Sequence, residues 1–200
     1  MALDGKRLLK YMAFKGYEIE PWNIVYIEDC DPDTWQPIAG RLDKWDDARS
    51  VVTNEGIVLF SNIATSEPGA FYTNRPLNPN GAARIALMQH KDAWALGDHK
   101  GQPALVQVGN LKIHRDLNQD GLRIGDPIFT GDGYGINQHS TSPSFSNNSV
   151  GKWSAGCLVG KFYSSHLNFI ELCREIQRKT GKKRFTSTII DASDFAKFAG

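Results

Sequence analysis

The sequence predicts an α+β fold with a mainly β, sandwich-like or barrel-like core and flanking helices. Its middle holds many short runs of β-branched and aromatic residues bounded by turn residues, which is typical of strands. Segments near both ends instead place apolar residues at helical spacing. No long linker-like tract and no repeat divides the 200 residues, so we expect one domain over residues 1–200.

The N-terminal part, residues 1–50, is predicted to supply one helix and one strand that pack on the core. Residues 4–15 place apolar side chains at near-helical spacing, and Gly16 follows as a C-cap. Residues 22–27 predict the first strand, which leads into an acidic turn that contains proline.

The remaining elements follow from the same two patterns. Helices are predicted at residues 81–91 and 164–179, the second with a basic last turn and Gly181 as its C-cap. Further strands are predicted at residues 50–52, 56–63, 69–73, 93–96, 104–108, 111–115, 133–139, 157–160 and 185–190.

Charge and hydropathy exclude several classes of partner. The 23 basic and 22 acidic residues are mixed along the chain, so no strong field exists for binding nucleic acid. The longest apolar runs are far shorter than the roughly 20 residues of a membrane span. The N-terminus interleaves basic and apolar residues, which is not a secretory signal, and we expect synthesis in the cytoplasm without a signal peptide.

The most informative stretch joins a histidine and a cysteine. Gly135-Ile136-Asn137-Gln138-His139-Ser140 precedes a polar loop and then Trp153-Ser154-Ala155-Gly156-Cys157-Leu158-Val159. The two halves predict short strands that bring an imidazole and a thiol together. A neighbouring imidazole can accept the thiol proton and turn a weak nucleophile into a good one, so His139 and Cys157 are the candidate catalytic pair.

Chain order separates the cysteine peptidase classes. In papain-like enzymes the cysteine comes first, whereas here His139 precedes Cys157 by 18 positions. Caspase-like enzymes have this order but carry a different signature, with the histidine about 50 residues upstream.

The segment Ser154-Ala155-Gly156-Cys157, with His139-Ser140 upstream, resembles the L,D-transpeptidase catalytic domain over residues 105–159. The resemblance implies a mainly β fold, with residues 105–160 as the catalytic region. It also implies peptidoglycan stem peptides as substrate and a thioacyl-enzyme. Cys157 would then be the nucleophile and His139 the base. The backbone carbonyl of Ser140 would orient the imidazole, and the amides of Gly156 and Cys157 would hold the oxyanion.

Two positions depart from the family pattern. Ala155 stands where the family usually has a second histidine, and Val159 where it usually has Arg or Asn. The second change removes a group expected to fix a substrate carboxylate. Hydrolysis of stem peptides by a lysin-like enzyme is therefore favoured over crosslinking, with delivery by non-classical release, a phage or a secretion machine. The alternative is a non-catalytic structural or wall-targeting module of a phage tail or injection device.

Other residues complete the set of candidates. Ser154, Trp153, Tyr134 and Asn137 are candidate substrate-binding residues. Cys173, on an apolar helix stripe, is predicted to be a core residue, and Cys30 to have no role.

Metal sites are a weaker prediction. Asp116, Asn118 and Asp120 reproduce the first half of a calcium loop, but Pro127 occupies the position of the required Glu, which favours a turn stabilised by Asx hydrogen bonds. His90, His99 and His114 have no zinc spacing, so a zinc peptidase is the least favoured class. No cofactor is expected.

Overall fold

The computed structural model describes residues 3–199. Its strands are β1 Trp22–Glu28, β2 Asp47–Thr53, β3 Val58–Thr65, β4 Ala82–Ile85, β5 Gln89–His99, β6 Gln102–Gln107, β7 Leu111–Asp116, β8 Ile128–Gly131, β9 Gln138–Ser140, β10 Leu158–Gly160 and β11 Phe185–Asp191. Its helices are α1 Gly5–Phe14, α2 Ala70–Asn74, α3 Tyr163–Thr180 and α4 Ala192–Lys197. The predicted α+β class with a predominance of strands is confirmed.

Eight strands close into a barrel in the order β1-β11-β5-β6-β9-β10-β3-β2. Two neighbouring pairs, β1 with β11 and β9 with β10, are parallel, and the others are antiparallel. The strands β4, β7 and β8 form a separate antiparallel sheet in the order β4-β7-β8, which we call the small sheet.

Helix α3 contributes to the core of the barrel. Its Phe169, Ile170 and Cys173 are fully buried in one cluster with barrel residues such as Trp94. Gly181 ends the helix in the left-handed conformation, with φ of +70°, as a C-cap glycine does. The apolar stripe that predicted this helix is thus the face that it buries.

Helices α1 and α4 pack together against the outer side of the barrel. Asp4 caps α1 by accepting a hydrogen bond of 2.9 Å from the backbone N–H of Arg7. Leu8 and Met12 are buried with Ile27 of β1 and Phe195 of α4. Within residues 3–199, no helix is both long and apolar enough to cross a bilayer.

The predicted helix over residues 81–91 is wrong, because this segment forms β4 and the start of β5. All four residues of β4 are buried, and Ile85 faces the core while the neighbouring Arg84 is buried on the opposite side. A strand that is buried on both faces shows no alternation of apolar and polar residues. Its run of Ala and Ile therefore resembles a helix stripe.

Two other differences have local causes. Residues 69–73, predicted as a strand, begin α2, because Asp43 accepts a 3.0 Å hydrogen bond from the Ala70 amide at the helix start. In the predicted strand over residues 133–139, the left-handed Gly135 interrupts the strand, and only β9 pairs. The short elements β8 and α4 carry no sequence signal strong enough to predict them.

An acidic network joins the small sheet to the barrel. The hydroxyl of Ser66 lies 2.6 Å from an oxygen of Glu28 and 2.7 Å from an oxygen of Asp47. A serine hydroxyl donates one hydrogen, so one of these carboxyls must carry a proton. Accordingly, burial and the nearby Glu28 raise the pKa of Asp47. Arg123 bridges the two sheets, because it binds Glu28 at 2.9 and 2.5 Å and the carbonyl of Ile85 at 2.8 Å.

Replacing Asp29 with Asn should stabilise the protein at neutral pH. Burial, and then the charges of Asp46 and Glu28, raise the pKa of Asp29 from 3.8 to about 6. The folded state therefore favours the protonated form, and its stability falls as pH rises from about 4 through 6. Asn carries no charge and tolerates the left-handed backbone here, where φ is +55°. The side chain is partly exposed, so we expect a gain of about 1–2 kcal/mol at pH 7.

Urea unfolding of both proteins at pH 4 and pH 7 measures this effect. The gain of Asp29→Asn should be present at pH 7 and small at pH 4. The exposed Asp33, changed to Asn in the same loop, is the control and should show no such pH dependence. An equal gain at both pH values would contradict the assigned charge effect.

Candidate active site

The parallel pairing of β9 with β10 places the imidazole and the thiol on one face of the barrel wall. Gln138 lies opposite Leu158, and His139 lies opposite Val159. Successive side chains alternate between faces of a strand, and Gln138 and Leu158 are buried in the barrel interior. His139 therefore points outward, and so does Cys157, which is two positions before Val159.

Both side chains open into the same cavity, which has a volume of about 500 Å³. His139 is 5% exposed, and Cys157 is partly buried. A second cavity of about 250 Å³ shares His139 with the first and also reaches Ser140. The predicted pair thus lines one cleft, and the hydrogen bond of the thiol goes to the Gly135 carbonyl rather than to the imidazole.

The orientation of His139 is fixed by its own strand. Its Nδ1 lies 2.9 Å from the backbone carbonyl of Ser140. A carbonyl only accepts, so Nδ1 carries the hydrogen, and Nε2 has a free lone pair when the ring is neutral. Burial lowers the pKa of His139 to about 4, with smaller contributions from His99 and Lys100. The ring is therefore a neutral base at physiological pH.

A second imidazole supports the first. His99, at the end of β5, stacks on His139 with ring centroids 4.2 Å apart and an angle of 12° between the planes. Its Nδ1 lies 2.8 Å from the Asn137 amide nitrogen, and the Asn137 carbonyl oxygen accepts a hydrogen bond of 2.9 Å from the Gln107 backbone. From the sequence, His99 is predicted only as a zinc candidate. No spacing rule links two strands that meet only in the folded barrel.

The thiol of Cys157 is protonated in the resting site. Its Sγ donates to the carbonyl of Gly135 at 3.6 Å. Burial raises the pKa of the thiol. This effect outweighs those of the Asn137 backbone hydrogen bond and of the Lys100 charge, which both lower the pKa. The resting pair therefore consists of a neutral thiol and a neutral imidazole, rather than a thiolate and an imidazolium.

In the turn before Cys157, one of the two backbone amides predicted to hold an oxyanion is already hydrogen-bonded. Gly156 has φ of +126°, and a Cβ at this position would lie 2.6 Å from the carbonyl oxygen of Ala83, so glycine is required. The hydroxyl of Ser154 accepts from the Gly156 amide at 3.1 Å and donates to the Cys157 carbonyl at 2.8 Å. The amide predicted at Gly156 to hold an oxyanion is thus engaged. The Cys157 amide has no acceptor within residues 3–199.

The four predicted substrate-binding residues fall into two groups. Trp153 and Tyr134 line the cavity of about 500 Å³, and Trp153 lines the adjoining one too. Ser154 is fully buried, and its hydroxyl serves the turn. The amide group of Asn137 is engaged by Gln107 and His99. In this structure the side chains of Ser154 and Asn137 are engaged in hydrogen bonds that shape the site, and their contact with substrate stays a prediction.

The calcium candidates close a turn. The carboxylate of Asp116 accepts backbone hydrogen bonds of 3.1 Å from both Asp120 and Gly121, and it also pairs with Arg84 at 3.4 Å. The amide of Asn118 donates to Asp120 at 2.7 Å. These contacts are the Asx-type alternative, and they leave the Asp116 oxygens occupied by donors.

The zinc candidates are spread over the fold. His99 belongs to the stack on His139, and His90 lies 3.0 Å from the carbonyl of Ala86 in the interior. His114 lies on β7 of the small sheet. Within residues 3–199 these three do not form a common ligand group.

Three carboxylates outside the cavity do approach one another. Asp29, Asp46 and Asp47 place oxygens within 4.8 Å of each other. Both oxygens of Asp47 accept backbone hydrogen bonds, from Asp29 at 3.0 Å and from Ser66 at 2.5 Å, and Asp46 accepts one from Arg41 at 2.9 Å. Burial raises the pKa of all three groups, so protonation relieves their repulsion without a cation.

No protein-family model, curated protein sequence or solved structure matches this chain. Its functional assignment therefore depends on the residues of the cavity and their geometry.

The resting protonation state predicts how the thiol reacts. The rate of Cys157 alkylation by iodoacetamide should rise continuously between pH 6 and pH 9, because the thiolate population is still growing above neutral pH. Quenched time points and mass spectrometry of the intact protein measure this rate. Cys157→Ser should not be labelled, since Cys30 and Cys173 are fully buried. A rate plateau below pH 7 would instead indicate a resting ion pair.

Removing the stacked ring should change the titration of the base. In His99→Ala, water reaches His139, and its pKa should rise from about 4 by at least about one unit toward the ordinary 6.5. NMR titration of the histidine ring protons measures this change. His90, whose pKa burial lowers to about 4, contacts neither ring and is the internal control. An unchanged His139 titration would show that the stack does not control its solvation.

Proposed function

We propose that the protein is a cysteine hydrolase or acyl transferase that acts on peptidoglycan stem peptides through a thioacyl-enzyme. One observation carries the proposal: His139 and Cys157 share one face of the barrel wall and one cavity, and the Ser140 carbonyl directs the basic nitrogen of the imidazole away from the backbone. The substrate class and the likeness to an L,D-transpeptidase core come from the resemblance of the motif alone.

The first chemical step transfers one proton within the pair. His139 Nε2 takes the Cys157 proton while the sulfur attacks the carbonyl carbon of a peptide bond. The oxyanion that forms is stabilised by the Cys157 amide, the donor that is free in this structure. The imidazolium then gives its proton to the leaving nitrogen, the C–N bond breaks, and a thioester and an amine result.

The second step regenerates the thiol. Neutral His139 takes a proton from water while the oxygen attacks the thioester. The C–S bond then breaks, the imidazolium returns its proton to the sulfur, and the products are a carboxylic acid and the Cys157 thiol. An amine from a second stem can replace water, and the product is then a new amide. The adjoining cavity at Ser140 offers an approach for either acceptor, because it shares His139 with the main cavity.

One set of observations favours the non-catalytic alternative. The thiol is not ionised at rest, and the Gly156 amide is engaged by Ser154. A module of a phage tail or injection device that binds the cell wall without cleaving it would also keep an open cleft. The enzyme is preferred because such a module has no need for an oriented neutral imidazole beside a thiol.

Variants of the pair test the proposed reaction. Cys157→Ala and His139→Ala should each lower release of muropeptides from purified sacculi by at least about 10³-fold, because the two groups act as a unit. Mass spectrometry of the released fragments identifies the bond that is cleaved. His114→Ala, a histidine outside the cavity, is the matched control and should retain activity.

Thermal unfolding checks that each variant is folded. The non-catalytic module would be supported if the wild-type protein and Cys157→Ala sediment equally with sacculi and neither releases fragments. Release that persists in folded Cys157→Ala would contradict the assignment of the nucleophile.

A further inference from the structure

The residues that line the main cavity include three cations and no acid. The cations are Lys100, Arg115 and Lys152. The three cations come from the turn after β5, from β7 and from the loop before Cys157, so they surround the thiol from separate elements. Cations that converge on a partly closed, low-dielectric cleft produce a strong local potential although the net charge of the chain is only +1.

These cations are also unpaired within residues 3–199. None of the three forms a salt bridge, whereas Arg84 and Arg123, behind the small sheet, are bound to carboxylates. Lys152 instead lies over the ring of Phe71, with its Nζ 4.3 Å from the centroid. Arg84 and Arg123 are thus neutralised by carboxylates, whereas the charges of Lys100, Arg115 and Lys152 remain available to a ligand.

Arg115 is the most precisely positioned of the three. Its Nη1 donates to the carbonyl of Gly81 at 3.2 Å, and its guanidinium carbon lies 5.6 Å from the ring centre of Tyr134. The other edge of the guanidinium, Nε and Nη2, has no acceptor within residues 3–199. Two parallel N–H groups on one such edge match the two oxygens of a carboxylate.

We infer that Arg115, assisted by Lys100 and Lys152, binds a free carboxylate of the acyl donor next to the amide that Cys157 attacks. The inference rests on the proposed function and narrows its substrate class to peptides with an anionic group close to the scissile bond. Arg115, on β7, would then fix the substrate carboxylate, which the uncharged Val159 cannot do. Local sequence around the cysteine does not contain this residue.

A peptide carboxylate fits the site better than a diffuse polyanion. Only one free guanidinium edge is present among the described residues of the cavity, it lies in the same cavity as the thiol, and the lysines flank it. An extended polyanion would need a row of cations along a surface, and the chain has mixed charges outside the cleft. The arrangement therefore selects a single small anion beside the reacting carbonyl.

Alkylation with two small reagents tests the inference without requiring turnover. Iodoacetate carries a carboxylate, and iodoacetamide is its neutral counterpart. The quantity measured is the iodoacetate rate divided by the iodoacetamide rate at Cys157, normalised to the same quotient for glutathione. This normalised ratio should be at least about 10 at low salt and should fall with ionic strength. Arg115→Gln should lower this ratio by about 3–10-fold, and Arg115→Lys by less, because lysine keeps the charge but not the two-pronged geometry.

Normalising to iodoacetamide removes any effect of a variant on the thiol itself, and thermal unfolding confirms the fold. Arg174→Gln, an exposed charge on α3 remote from the cavity, is the control for net charge and should leave the ratio unchanged. A ratio that is not above one, or that Arg115→Gln and Arg174→Gln change equally, overturns the inference.

A second measurement does not depend on alkylation of Cys157 and serves if that reaction is too slow to compare the two reagents. NMR of Cys157→Ala should show Ac-Ala-Ala binding at the Arg115 Nε–H at least about tenfold more tightly than its C-terminal amide. Equal binding of the two peptides overturns the inference. If the protein prefers the anionic reagent or peptide but releases no muropeptides, only the proposed function is contradicted. If it releases muropeptides but shows no preference for the anionic reagent or peptide, only the carboxylate site is contradicted.

Discussion

The register between β9 and β10 is the constraint on which the site depends. A shift of one residue would turn His139 into the barrel and expose its neighbour. Gln138 prevents this shift, because its fully buried amide bonds with the Tyr26 hydroxyl at 3.3 Å and the Ser187 hydroxyl at 2.8 Å inside the barrel. A buried polar group costs free energy when it is unpaired, so these bonds hold one register. Inward anchoring of Gln138 thereby fixes His139 outward.

Burial then determines how the pair can react. It disfavours charge on the imidazole and on the thiol alike, so proton transfer in the resting site would create two ions in a poorly solvated place. Attack on a bound carbonyl avoids this cost, because the negative charge moves to the substrate oxygen as the proton moves to His139. Lys100 lowers the pKa of the thiol, which favours loss of its proton, and it also lowers the pKa of His139, which opposes uptake of that proton. The arrangement favours transfer of the thiol proton only as the sulfur attacks a bound substrate.

The sequence could predict the parts of this site that neighbouring residues define. Helix α3, most barrel strands and the placement of His139 and Cys157 at one cavity follow from periodicity and a local motif. His99 and Arg115 could not be predicted, because β5 and β7 meet the motif only through the closed barrel and the docked small sheet. The roles of Ser154 and Asn137 depend on which atoms their side chains bond, and residue type alone does not determine this. The helix predicted at β4 failed because burial on two faces erases the period of two.

The small sheet separates the acidic network from the cationic cavity, because each lies against one of its two faces. In β4 and β7 adjacent residues point to opposite faces, so Arg84 and Asp116 lie on one side and Ala83 and Arg115 on the other. The first face is held to the barrel acids through the pairing of Arg84 with Glu67. The second face carries Arg115 to the cavity and sets the Ala83 carbonyl against Gly156. The ion pairs behind the sheet therefore position the charge in front of it, and loosening them would move a wall of the active site.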